Sequence, residues 1–460
     1  MEIITKIVTA VNGFLWDKNI LLFALCGTGI WFTFRLKFVQ LTHFGEGVRR
    51  LFGGLSLNGA KAGKDGMSSF QALTTAIAAQ VGTGNIAGAA AAIASGGPGA
   101  IFWMWVSAFF GMGTIYAEAT VAQKFKTVNE KGETVGGPAY YIKAAFKGNL
   151  GKFLAGFFSI AIILALAFMG NMVQSNSFGT AFKTAFHINP TIIGVIVALL
   201  AAFIFLGGMG RIASVTEKIV PLMAAMYIIG CLIVLILKGS ATLEAFKIIF
   251  ISAFSPQSIA GGIVGVTVQK AMRFGVARGL FSNEAGMGST PHAHAVAKVN
   301  HPHEQGTVAI VGVFIDTFII LTLTSLVIVS STQWNSGLTG IELAQAAFNE
   351  TLGSFGNIFI AICLLFFAFS TIVGWYFFGE MNVKYLFGSR FVKPYAAIVV
   401  VFIILGSTLN VDFVWALSDM FNGLMVLPNL IGLLALSSVI SSIYKDWNSR
   451  THLKMPKTNS

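Results

Sequence analysis

The feature that most restricts this 460-residue chain is its supply of long uncharged stretches. Ile, Leu, Phe, Ala and Gly run on for about twenty positions at a time, while only 10% of all residues are charged. A helix needs about 20 mainly apolar residues to cross the hydrocarbon core of a bilayer, and an average soluble domain is about 25% charged. Such stretches lie near 14–34, 68–94, 99–122, 153–175, 190–207, 218–237, 262–300 (interrupted), 306–330, 355–378, 395–410 and 412–440. The expected fold is an all-α polytopic membrane protein with eleven transmembrane helices. A transmembrane barrel would instead show ~10-residue segments of alternating polarity. The first apolar run lies beside Asp17-Lys18-Asn19 and leads into a basic loop, not a small-residue cleavage site, so it reads as a retained span.

A formal charge of +12 invites a nucleic-acid partner, but the distribution of the charge argues otherwise. On the eleven-span map 22 of the 30 Lys and Arg fall on one side, chiefly in 35–64, 124–152 and the tail, against five on the other. Lys270, Arg273 and Arg278 lie within the interrupted seventh segment and belong to neither side. This is the positive-inside asymmetry of a cell-membrane protein. It sets the N-terminus outside and the C-terminus in the cytoplasm, and a lipid bilayer accounts for the charge without nucleic acid. Cys26, Cys231 and Cys363 sit singly in apolar spans and read as packing residues.

Beyond the first span the chain divides into two groups of five, each opened by a flawed helix. The expected organisation is an N-terminal helix with a basic surface segment (1–67), a first five-helix repeat (68–237), an extracellular connection (238–261), a second, inverted repeat (262–440) and a basic tail (441–460). The first flaw is Gly82-Thr83-Gly84-Asn85 and the second is FSNEAGMG (281–288). Discontinuous helices in matching places of two inverted halves mark the binding site of a secondary transporter. A break inside the bilayer frees backbone N–H and C=O groups, which is tolerable only if they are buried in protein or line a wet cavity. Freed N–H groups at a half-helix start suit a carboxylate, and freed carbonyls suit a hard cation. Gly84, Gly88 and Ala92 are also spaced as in close-packed membrane helices; Thr83 and Asn85 between them turn the reading toward a site. GTGNIAG lacks the dinucleotide spacing, and the stretch 54–61 lacks the GK[ST] ending of a phosphate loop, so no nucleotide is expected.

The stretch GGPGAIFWMWVSAFFG (96–111) resembles the signature of the alanine or glycine:cation symporter family, and GVARGLFSNEAGMGS (275–289) its second hallmark. That family is similar in fold to the leucine-transporter-type sodium symporters, whose first core helix unwinds at a Gly-x-Gly-Asn sequence like 82–85. The resemblance implies Na+-coupled symport of alanine or glycine, with Na+ as co-transported ion and no organic cofactor. It places the substrate carboxylate on the N–H groups of Thr83 and Gly84 beside Asn85, and sodium on the carbonyls of Ala78 and Val81 with the hydroxyls of Ser370 and Thr371. Trp375, four residues beyond Thr371, would then close the side-chain end of a small pocket, with Phe281 and Met287 as further walls. Gln174 is a candidate for either charged group of the substrate, or an interfacial polar cap.

Asp316, in the apolar run VGVFIDTFIILTLTS, is expensive in a membrane and is by default functional. It could complete a cation site, pair with Arg278 or another basic group, or carry a proton. Glu284 invites the same readings, with Ser282 and Asn283 in a shared hydrogen-bond network. If FSNEAG were instead a cytoplasmic loop, Glu284 and Phe281 would leave the site. His292, His294, His301 and His303 read as an interfacial face more readily than as metal ligands. Segment 35–66 has the mixed apolar and basic character of a surface-lying helix, and Asp65 is a candidate for a cytoplasmic gate. An enzyme would need a convergent nucleophile–base or metal set, and apart from the histidines none appears. A channel would need a continuous polar pore. The remaining alternative is an H+-coupled carrier using Asp316 or Glu284.

Overall fold

The computed structural model describes residues 2–53, 63, 66–255, 267–409 and 411–454. The chain is helical nearly throughout, with one two-residue antiparallel ladder pairing Thr127–Val128 with Thr134–Val135. Eight helices among the described residues are long and apolar enough to cross a membrane, and the bent pair Ser69–Gln80 and Gly84–Gly96 makes a ninth. The two other expected spans fall short of that standard for different reasons. Pro190–Phe205 is apolar but only 16 residues long, while Val268–Asn283 carries Lys270, Arg273 and Arg278. The expected connection 238–261 is partly a helix, Ser240–Phe254, packed so closely on Gly99 that a Cβ there would overlap the backbone at Ser252. Asp65 lies outside the described residues.

Large apolar side chains on outward faces fit a lipid environment. Leu199 (63% exposed), Phe203 (64%) and Ile236 (76%) are largely uncovered, at a density that a water-soluble monomer avoids. Local signals place the helix ends. Ser68 and Gln71 form a reciprocal capping box at the start of Ser69–Gln80. Asn189 caps Pro190–Phe205, and His301 accepts from His303 N ahead of Pro302.

Both expected discontinuities are present. The first helix leaves α geometry at Val81 (φ −81°, ψ 90°) and resumes with a 47° bend. The second ends at Glu284 in the left-handed region (φ 57°), turns through Gly286 (φ 89°) and Gly288 (φ 80°), and resumes as Pro291–Ala295. A non-glycine residue at φ near +57° is strained, so Glu284 is held there by its surroundings. Three other stretches near the breaks, Gly84–Gly88, Ile163–Gly170 and Phe314–Leu321, are wound as π-helix.

Candidate functional site

At the first break the carbonyls of Ala78 and Val81 turn toward the long helix Phe355–Phe387. Thr371 Oγ1 lies 2.9 Å from Ala78 O and 3.4 Å from Val81 O. The approach depends on glycine: a Cβ on Gly82 would overlap Thr371 Oγ1 and come 3.3 Å from Gln174 Nε2. One hydroxyl and two carbonyl oxygens are the donor type a hard cation takes. The structure does not bring Ser370 to this set, contrary to the expectation of paired hydroxyls. Its Oγ faces Phe367 O at 2.9 Å and Met223 Sδ at 3.3 Å. Neighbours on a helix point about 100° apart, and here Thr371 is the one of the two whose hydroxyl meets the break.

The N–H groups of the break meet neutral acceptors. Gly82 N donates to Asn85 Oδ1 at 2.9 Å, and Thr83 N to Gln174 Oε1 at 3.2 Å. Gln174 therefore sits directly over the break and is no interfacial cap. Thr83 Oγ1 is buried without a hydrogen-bond partner. A Cβ on Gly84 would come within 3.1 Å of Ser282 Cα and 3.3 Å of Phe281 Cδ1, which is how closely the two broken helices meet.

Asp316 joins them. Its Oδ1 accepts from Asn85 Nδ2 at 2.6 Å and from Ser282 Oγ at 3.0 Å, and its Oδ2 from Thr317 Oγ1 at 2.8 Å. Asn283 completes the network through Thr317 Oγ1 (3.2 Å), and its carbonyl accepts from Gln80 Nε2 at 2.7 Å. Arg278 is not the partner of Asp316; it pairs with Asp419 at 3.2 Å.

Trp375 is buried with its ring against Gly170, and donates from Nε1 to Glu284 Oε1 at 2.5 Å. Phe281 meets it edge-on, centroids 5.9 Å apart. Glu284 Oε2 accepts from Ser289 Oγ at 2.6 Å. Glu284 and Phe281 are thus part of a buried break and not of an exposed loop. Met287 is buried in the same turn, its amide donating to Glu284 O. An open cavity of about 710 Å³ reaches this region, bordered by Ala87, Ala91, Arg278, Trp415 and Asp419. Trp415 packs on Phe281 at 5.2 Å and lies under the Arg278 guanidinium at 4.9 Å.

One residue escaped the sequence reading. Glu118, in the helix Gly99–Lys124, accepts from Gly286 N (3.0 Å), Gly288 N (2.9 Å) and Asn429 Nδ2 (2.6 Å), and so satisfies the groups freed by the second break. The rule that singled out Asp316, a carboxyl group in an apolar run, applies equally to Glu118. The four histidines do not gather at one point: His292 bonds Asn382, His294 bonds Gln305, His301 pairs with Asp446, and the His303 ring bonds Tyr116.

The sequence model of the sodium:alanine symporter family matches residues 1–459. The chain belongs to the sodium:alanine symporter family. The family is one of symporters, so sodium-coupled amino-acid symport is the class of activity. Similar proteins include the sodium/alanine symporter AgcS of Methanococcus maripaludis, 41% identical over 448 residues, with 96% of this chain and 97% of that one covered. The amino-acid carrier protein AlsT of Bacillus subtilis is 40% identical, with 96% and 92% covered. The probable sodium/glutamine symporter GlnT of the same organism is also 40% identical, with 97% and 91% covered. Among solved structures, MhsT in complex with L-phenylalanine has a TM-score of 0.57 at 15% identity, covering 84% of this chain and 99% of that one. This likeness shows the fold, which is of the leucine-transporter type.

Proposed function

We propose that the protein carries a small neutral amino acid, alanine or glycine, into the cell together with Na+ by alternating access. Both solutes would bind where the two broken helices meet, with eleven spans, the N-terminus outside and the C-terminus in the cytoplasm. The observation that carries this reading is the approach of Thr371 to the Ala78 and Val81 carbonyls, with the Thr83 and Gly84 amides two and three residues after Val81. Sodium on those oxygens and a substrate carboxylate on those amides would order one segment, so each binds better with the other present. Trp375, backed by Gly170 and Phe281, supports a side-chain compartment of little more than a methyl group. One positive charge moved with a zwitterion is worth about 2.3 kcal/mol per 100 mV, or about fifty-fold accumulation.

A second reading rests on a separate observation: Asp316 and Glu284 are buried and bonded only to neutral groups among the described residues. Either would suit a proton-coupled carrier. Labelled L-alanine uptake into proteoliposomes under an imposed Na+, K+ or proton gradient separates the two, with glycine, D-alanine, serine, glutamine and leucine as competitors. Uptake that requires Na+ and is blocked by glycine but not by glutamine or leucine is expected. Proton-driven uptake indifferent to Na+ would overturn the sodium reading, and competition by glutamine would overturn the small pocket.

A further inference from the structure

His43 and His303 take no part in the site above, and they meet where the surface helix Phe44–Gly53 packs on the start of the helix Pro302–Val313. His43 Nδ1 lies 3.1 Å from Glu46 Oε2, and His303 Nε2 lies 3.4 Å from the same oxygen. The three atoms all fall within 4.8 Å of one another. Ligand atoms held at about 2.0–2.1 Å from a tetrahedral Zn2+ are about 3.3 Å apart, so two of the three separations already match. We propose that His43, Glu46 and His303 form a site for a divalent cation of the Zn2+ class, with water completing the tetrahedron.

The surroundings of each donor fit this role. Tyr116 Oη sits 2.6 Å from His303 Nδ1, so a ring that gives its Nδ1 proton to Tyr116 keeps the Nε2 lone pair for a metal. Arg50 Nε and Nη2 hold Glu46 Oε1 at 3.0 and 2.9 Å, leaving Oε2 toward the histidines. Metal-binding histidines and carboxylates are oriented by outer partners of this kind. The Trp447 ring stacks on His303 with centroids 4.9 Å apart, and its Nε1 reaches Glu46 Oε2 at 3.4 Å, covering one side. His303 is fully buried, whereas the side chains of His43 and Glu46 are 16% and 24% exposed, which gives a cation its entry. Two imidazoles and one carboxylate suit Zn2+ over Mg2+ or Ca2+, which take mainly oxygen. A bound ion would tie the surface helix to the start of the helix that follows the second break.

The test uses the purified full-length protein without a histidine tag, stripped with a chelator and titrated with Co2+ and then Zn2+. One equivalent of Co2+ is expected, with the intense visible absorption of tetrahedral coordination, displaced by Zn2+, together with a raised melting temperature. His43→Ala and Glu46→Gln, both on a partly exposed segment, should each weaken binding tenfold or more while keeping the metal-free melting temperature. Tyr116→Phe should weaken it tenfold or more, since loss of an outer partner has that effect. Absence of the absorption band, or an affinity unchanged in both His43→Ala and Glu46→Gln, would overturn the site. The readout is metal binding, so the result stands whichever ion drives transport.

Discussion

The two broken helices satisfy their freed backbone groups in opposite ways. At the first, neutral side chains do the work: Asn85 and Gln174 accept from Gly82 N and Thr83 N, and the single Thr371 hydroxyl lies within reach of Ala78 O, Phe367 O and Val81 O. At the second, the Glu118 carboxyl group takes two amides and the Asn429 side chain, and Asn429 in turn donates to Gly286 O at 2.8 Å. On the proposed function a solute would replace the neutral partners of the first break, whereas the second is held by a carboxyl group of the protein itself. On that same reading the first discontinuity would serve the cargo and the second would stay a fixed wall.

The largest expected effect comes from removing the Glu118 carboxyl group. Glu118→Ala leaves the buried Gly286 and Gly288 amides unpaired and removes one of the two bonds of Asn429 Nδ2, each unpaired donor costing about 1–3 kcal/mol, so the melting temperature in detergent should drop sharply and uptake should disappear. A variant as stable as the parent would show that the second break is no more fixed than the first. At the first break, Thr371→Ala should preserve stability while raising the Na+ concentration for half-maximal uptake on the order of tenfold, which is about 1.4 kcal/mol. Sodium dependence that stays put would remove Thr371 from the cation set. Trp375→Phe loses the bond to Glu284 and some bulk, and binding of larger neutral amino acids should improve by about 1–3 kcal/mol, read as competition by valine against labelled alanine. The smallest change belongs to Ser370→Ala. Its hydroxyl faces Phe367 O and Met223, so sodium dependence should move less than about twofold, a small fraction of 1.4 kcal/mol. A shift equal to that of Thr371→Ala would restore the paired hydroxyls.

Much of this arrangement was legible in the amino acids, because a bilayer permits few solutions to the hydrogen-bonding demands of a backbone. Gly82-Thr83-Gly84-Asn85 announces the first break on composition alone, and the polar run at 281–288 the second. What could not be read was which side chains arrive from afar. Glu118 and Gly288 are 170 residues apart, and nothing local ties them. The choice between Ser370 and Thr371 turns on the rotation of one helix against another, which Gly82 permits but does not reveal. His303 lay in a histidine-rich stretch whose members look like a group, yet the turn at Pro302 sends His301 toward Asp446 and His303 toward Tyr116. The helix at Ser240–Phe254 passed for a connection because it carries Glu244 and Lys247 and is too short to span.

The π-wound stretch Phe314–Leu321 bears on what the lineage of this chain can vary. A π turn fits one residue more into a helix than α winding does, and the flanking turns absorb it. A single-residue deletion inside 314–321 would thus leave the stretches Pro302–Val313 and Thr322–Val329 aligned and the helix intact, while moving Asp316 off Asn85 and Ser282. Length, usually the most freely drifting property of a loop, becomes here a heritable character of a membrane helix, open to selection one codon at a time.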